Sequence, residues 1–219
     1  MNVPEPHRLV CGSVDGLPIH QMLNGTHADI LYADPPWDDA HMASFATLAR
    51  RQTGVAVQPI RWETFIAGMC SVLATHVRGW VFVEMGRQHA ERTAGYLRLV
   101  CEDVTIHPTT YRSGGQERPT TLISGHRRPG HGAGWRVPAD GATGGLRQVL
   151  AVLSSVAKPH DVVLDPCCGT GLTARACLRL GLTFYGNELN TARARKTAAL
   201  LEKAADDFVR SRVTILRNP

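Results

Sequence analysis

The stretch that most restricts the fold is residues 161–190, DVVLDPCCGTGLTARACLRLGLTFYGNELN. It opens with an apolar run, Val162–Asp165, that ends in an acid. A tight Gly169-Thr170-Gly171 turn follows, then helical spacing over Leu172–Leu180. A second apolar run, Thr183–Asn187, leads to Glu188. Two strands joined through a helix run parallel, because a short hairpin can join only an antiparallel pair. Parallel strands are buried on both faces and need helices above and below. One such unit commits the chain to an α/β sheet.

The remainder repeats the alternation. Strands are expected at Arg8–Cys11, Ile30–Ala33, Trp80–Glu84, Val104–His107, Thr121–Ser124, Val162–Asp165, Thr183–Asn187 and Val213–Leu216. Helices are expected at Trp62–His76, Gln88–Arg98, Leu146–Ala157, Leu172–Leu180 and Thr191–Phe208. The 219 residues suit one domain with a substantial core, so residues 1–219 are read as a single unit.

Composition narrows the setting. An apolar fraction of 43% with 20% charged residues is that of a folded chain. No apolar run reaches the roughly 20 residues of a membrane span. The opening MNVPEPHRLV lacks the pattern of a secretory signal, and a cytoplasmic setting is expected. Six scattered cysteines form no C-x-x-C pair and read as reduced thiols, with no metal site expected.

The net charge is +5, and arginine outnumbers lysine 21 to 3. Residues 112–145 concentrate that charge in a Gly- and Pro-rich segment read as a long loop. It holds Arg112, Arg118, Arg127, Arg128 and Arg136 against Glu117 and Asp140 alone. A mobile basic surface for a phosphate backbone is the sharper reading, with Trp135 available for stacking on bases. An exposed connection that is basic by chance is the plainer one.

A second motif, YADPPWDD, spans residues 32–39. An apolar strand delivers Asp34 and Trp37 to its carboxyl end, where open α/β sheets bind ligands. Pro35 and Pro36 stop the strand, stiffen the chain and remove two backbone donors. Taken alone, Asp-Pro-Pro reads as a strand-ending turn, and Asp38 and Asp39 as solvated loop acids.

The two motifs together resemble S-adenosylmethionine-dependent methyltransferases. The Asp165, Gly169–Gly171 and Glu188 arrangement is similar to their cofactor motif. ADPPW is similar to the D-P-P-[YFW] motif of enzymes that methylate exocyclic amino groups of bases. The catalytic motif comes first here, as in the circularly permuted β-type DNA amino-methyltransferases; the tryptophan also resembles MT-A70-like and phage adenine methylases. Cys167 stands where that family usually has an aromatic, and GSVD replaces the usual N-terminal Gly-Asp, which leaves Ser13 or Asp15 as stand-ins.

What the resemblance implies is a Rossmann-like fold with a mostly parallel, seven-stranded sheet and S-adenosyl-L-methionine as cofactor. Asp165, Cys167, Gly169, Thr170, Gly171, Glu188, Asn190 and Ser13 would hold the cofactor. Asp34, Pro35, Pro36 and Trp37 would carry the chemistry. The substrate would be nucleic acid, double-stranded DNA first, and a homodimer is within the expectation. Because an aspartate leads the motif, adenine N6 is the expected target. Cytosine N4, RNA adenine, and a non-catalytic cofactor-binding subunit are the alternatives.

Overall fold

The computed structural model describes residues 7–12, 17–23, 25–54, 56, 58–113, 115–207 and 214–216. Ser13 and Asp15 lie outside them, as do Val213 and Phe208 at two expected element ends. The chain order is β1 (Arg8–Cys11), α1 (Leu17–Leu23), β2 (Ala28–Ala33), α2 (Asp39–Thr53), α3 (Trp62–His76) and β3 (Val77–Gly86). Then come α4 (Ala90–Leu97), β4 (Glu102–Ser113), β5 (Gln116–His126), α5 (Leu146–Val156), β6 (Val162–Asp165), α6 (Leu172–Leu180), β7 (Thr183–Glu188), α7 (Thr191–Asp207) and β8 (Thr214–Leu216).

All eight expected strands form one sheet, ordered β4-β5-β3-β2-β6-β7-β1-β8. This is one strand more than the seven that the resemblance implies, the extra being the short edge strand β8. Six strands run parallel from β3 to β8, while β5 pairs antiparallel to both β3 and β4. Alternate β2 residues face opposite sides, as a pleated strand requires. Leu31 and Ala33 pack toward α1, α3 and α4, and Ile30 and Tyr32 pack toward α5, α6 and α7.

The connections fan outward from the middle. The chain leaves β2 toward β3 on one side, and leaves β6 toward β7 on the other. Because β2 and β6 are paired neighbours, the crevice between their carboxyl ends is the topological switch point, where such sheets bind ligands. Asp34 follows β2 there, and Asp165 ends β6.

The basic segment 112–145 is not a single long loop. Its first part completes a hairpin in which β4 and β5 pair from Glu102↔His126 to Ser113↔Gln116. The proline-bearing register explains why it was hidden. Pro108 sits on the edge strand β4, and Pro119 lies beyond Thr120, the last β5 residue paired with β3. The hairpin tip therefore projects past the carboxyl end of β3. Helices α1 and α2 were also unforeseen. In α2, Met42, Ala46 and Ala49 make a buried stripe, but alanine is too weakly apolar to signal one.

Candidate active site

The DPPWDD loop is pinned at most of its residues. Asp34 stands at the floor of a cleft: protein surrounds it, yet its side chain opens to solvent in the cleft. Burial pushes its carboxyl up to about 6, against a hydrogen bond from Trp37 and the nearby charges of His41 and Arg193. Trp37 lays its ring on Gly86, where a side-chain carbon would come within 2.6 Å of the indole. Only glycine permits that approach. The Pro36 carbonyl accepts from Trp62 Nε1 at 2.9 Å. Asp38 caps α2 through His41 N at 2.7 Å, and Asp39 accepts from Trp62 N at 2.6 Å at the start of α3. The last two acids are thus caps, not free loop carboxylates.

A cavity of about 280 Å3 opens beside Asp34 and Pro36. Glycine-loop residues Pro166 and Cys167 line it, as do Asn187, Glu188 and Asn190 from the end of β7. Glu188 is buried, and its two oxygens accept from Gly169 N and Asn190 N, each at 2.8 Å. Burial raises its pKa, opposed by those bonds and by Arg193. Asn187 Nδ2 donates to the Gly12 and Pro166 carbonyls, which fixes the amide orientation; its buried Oδ1 has no partner.

Several expected cofactor residues support the cavity without lining it. Asp165 is turned into its own loop, where it accepts from Cys167 N at 3.0 Å and from the Thr173 hydroxyl. Burial raises it to about 7. Gly171, at φ 85°, turns the chain into α6 against Thr197, 3.0 Å from where a side chain would begin. Thr170 is exposed on the turn. Asn190 lines the cavity, but its amide also caps α7 and holds Gln52 of α2 at 2.8 Å.

The second wall was unforeseen. Met42, Phe45, Ala46 and Ala49 of α2 line the cavity with Ile60 and Phe65, and Arg193 of α7 sits over the Phe45 ring at 5.1 Å. Aromatic surface thus comes from Phe45 and Phe65, while Cys167 occupies the position expected to carry it. The spacing of Met42, Ala46 and Ala49 carries too weak an apolar signal to show this wall in the sequence.

Glu84 at the end of β3 was also missed. It accepts from Tyr32 Oη at 2.6 Å, and Gln148 Nε2 donates to that hydroxyl at 3.3 Å. Burial, then the charge of Asp34, raises Glu84 to about 8. Three acids on three neighbouring strand ends thus resist ionising together.

The basic candidates divide into two groups. Arg112 and Arg118 sit near the projecting hairpin tip, at the same end of the sheet as Asp34. Arg127, Arg128, Trp135 and Arg136 follow the far end of β5, where His126 pairs with Trp80 near the start of β3. Arg127 reaches the Ala74 and Val77 carbonyls at 3.2 and 3.3 Å, closing the end of α3. Trp135 packs against Trp80, Phe82 and His107 and bonds Ser155. Arg136 bonds the Trp135 carbonyl. The structure therefore corrects the expectation of one basic surface: its second half is not brought to the Asp34 cleft. Among the described residues, no group of metal-ligating side chains is assembled. No helix among them is long and apolar enough to cross a membrane.

Residues 149–199 match a protein family described as DNA methylase, the N6/N4 methyltransferases. The match covers the Asp165 loop, Glu188 and Asn190. Solved structures agree on the fold across nearly the whole chain. M1.HpyAVI matches with a TM-score of 0.60 at 15% identity, covering 89% of this chain and 98% of that one. The TTHA0409 protein of Thermus thermophilus, crystallised with S-adenosyl-L-methionine, matches at 0.59 and 17% identity, covering 97% and 99%. The cytosine-N4-specific PvuII DNA methyltransferase matches at 0.56 and 8% identity, covering 97% and 95%. No curated protein sequence matches the chain significantly.

Proposed function

We propose that the protein transfers a methyl group from S-adenosyl-L-methionine to the N6 amine of adenine in DNA. The observation that carries this reading is that Asp34 and Glu188, from the two separate motifs, line one cavity.

The residues present fit the cofactor. A buried acid at the end of β7 suits ribose hydroxyls, and the unpartnered Asn187 Oδ1 offers an acceptor. Phe45, Ile60 and Leu189 offer apolar surface for a base. A cation also suits a site where Asp34, Glu84 and Asp165 oppose one another's ionisation. When bound, S-adenosyl-L-methionine supplies an electrophilic methyl group on a sulfonium.

An exocyclic amine is a poor nucleophile because its lone pair is delocalised into the ring. Ionised Asp34 would accept one amine hydrogen and the Pro35 carbonyl the other, since the Pro36 carbonyl is already taken by Trp62. Both acceptors favour a pyramidal nitrogen and stabilise the positive charge that grows there during transfer. The bond from Trp37 holds the carboxylate in place, and the Trp37 ring offers a wall for a base drawn out of the duplex. The methylated nitrogen then sheds its proton to water or to Asp34. Aspartate at the head of the motif supports adenine over cytosine, by the resemblance above.

The test is transfer from labelled S-adenosyl-L-methionine to duplex DNA, single-stranded DNA and RNA, with nucleosides identified by mass. N6-methyladenine in DNA is expected. N4-methylcytosine or methylated RNA would replace the substrate and keep the chemistry. Donor binding without transfer to any of them would overturn the catalytic reading.

A further inference from the structure

A second opening lies on the other side of the motif loop, a groove of about 760 Å3. Trp37, His41, Arg87, Gln88, Tyr111 and Arg118 line it. The loop is a shared wall: Asp34 and Pro36 face the cofactor cavity, while Trp37 faces the groove. A base presented to Asp34 from the Trp37 side therefore leaves its flanking strand to run through this groove.

The groove's chemistry matches such a strand. No lining residue is acidic, and the acids nearby are engaged. Asp38 meets His41 Nδ1 at 2.8 Å and His89 Nε2 at 3.3 Å, and Glu117 pairs with Arg112 at 3.3 Å. Arg87 and Arg118 are exposed and form no ion pair among the described residues. Tyr111 stands 44% exposed, directly across the ladder from Arg118. Its place in a paired strand holds the ring without the entropy cost of ordering a loop. An exposed aromatic beside free arginines is the combination that stacks a base and binds its phosphate.

We propose that the groove seats the nucleotide next to the target on the same strand. Its base stacks on Tyr111, and its phosphate pairs with Arg87 and Arg118. The inference rests on the methyltransferase reading for the identity of the strand. Its occupant is an unpaired nucleotide, so in a duplex substrate this neighbour leaves its pair together with the target to reach Tyr111.

Two short fluorescein-labelled single strands test it, each with one adenine, the second abasic beside that adenine. Anisotropy gives the affinity of the wild type, Tyr111→Ala, and the Arg87→Ala/Arg118→Ala double variant. Thermal melts check that each surface variant is folded. Tyr111→Ala should weaken the intact strand about tenfold and leave the abasic strand unchanged. The arginine pair should weaken both strands and flatten the salt slope by about 0.7, as one phosphate on a single strand requires. Equal weakening of both strands by Tyr111→Ala, or no change in either, would overturn the seat. So would an unaltered salt slope, or wild-type protein that binds neither strand. Binding is read without catalysis, so a chain that binds as expected yet transfers no methyl would sink the proposed reaction alone.

Discussion

Two neighbouring strands, β2 and β6, lead into the same two residues, Asp-Pro, and the loops that follow are put to different uses. At Asp165 the backbone and Thr173 turn the acid inward, and it organises the loop on which the cofactor wall is built. At Asp34 the second proline removes one more backbone donor. The carboxylate is left with a bond from Trp37 and an open side toward the cavity. Burial raises both carboxyls, so burial alone does not distinguish a reacting acid from a supporting one. What distinguishes them is which carboxylate keeps acceptor capacity unspent.

The sharpest break between the two is catalytic. Asp34→Ala should lower kcat for methyl transfer by about 100- to 1000-fold, the scale for losing one preorganised group, with the thermal midpoint retained. Asp165→Asn, which keeps an acceptor for Cys167 N, should leave kcat near wild type at saturating donor. If Asp165→Asn abolished kcat in folded protein that still binds donor, the division of roles would fail.

The Glu188→Gln variant sharpens the same division within the cofactor wall. It removes a charged acceptor from the cavity and should weaken S-adenosyl-L-methionine by about 1.5–3 kcal/mol, roughly 10- to 100-fold in Kd by calorimetry. An unchanged Kd would remove Glu188 from the cofactor site.

Acidity separates the two aspartates by smaller steps. Transfer at low substrate should rise with pH through about 6, as Asp34 ionises, and flatten above it. A flat profile across pH 5 to 7 would detach Asp34 from the rate. Stability should move the other way. Asp165 is raised to about 7, so between the ordinary carboxylate range and that value the folded state holds a proton that the unfolded state has released. Its contribution to stability is therefore lost as pH climbs through that window, and Asp165→Asn should flatten the decline in thermal midpoint. A decline as steep as wild type's would assign it to Asp34, Glu84 or Glu188 instead.

The smallest effect is expected far from both loops. Arg127→Ala/Arg128→Ala should leave the salt dependence of nucleic-acid binding unchanged and cost about 1 kcal/mol of stability through the lost carbonyl bonds at the end of α3. A flatter salt slope would restore the far end of β5 to the binding surface.

The parts legible in the sequence are those that depend on neighbours along the chain. The β6-α6-β7 unit, the Asp34 strand end and the acid at 188 each announce themselves in a few consecutive residues. What stayed hidden depends on distant partners. Trp135 looked available for stacking because nothing nearby in sequence shows Trp80, Phe82 and His107 around it. The hairpin looked like a loop because Pro108 and Pro119 argue against strand, and only the edge position and the overhang past β3 make them harmless. Phe45 belonged to a helix whose buried stripe is largely alanine, and Glu84 was one acid ending one more strand. Its closeness to Asp34 follows from the pairing of Ala33 with Val83.

The adjacency of β2 and β6 has a consequence for how such chains can be reordered. The two motifs meet across a ladder joining Ile30 to Val163 and Leu31 to Leu164, and 130 residues of chain lie between Asp34 and Asp165. The site is a property of the seam, not of the route by which the polypeptide reaches it. A gene recut so that the 161–190 unit is translated first would close the same seam, and would leave the Asp34 carboxylate facing the same cavity.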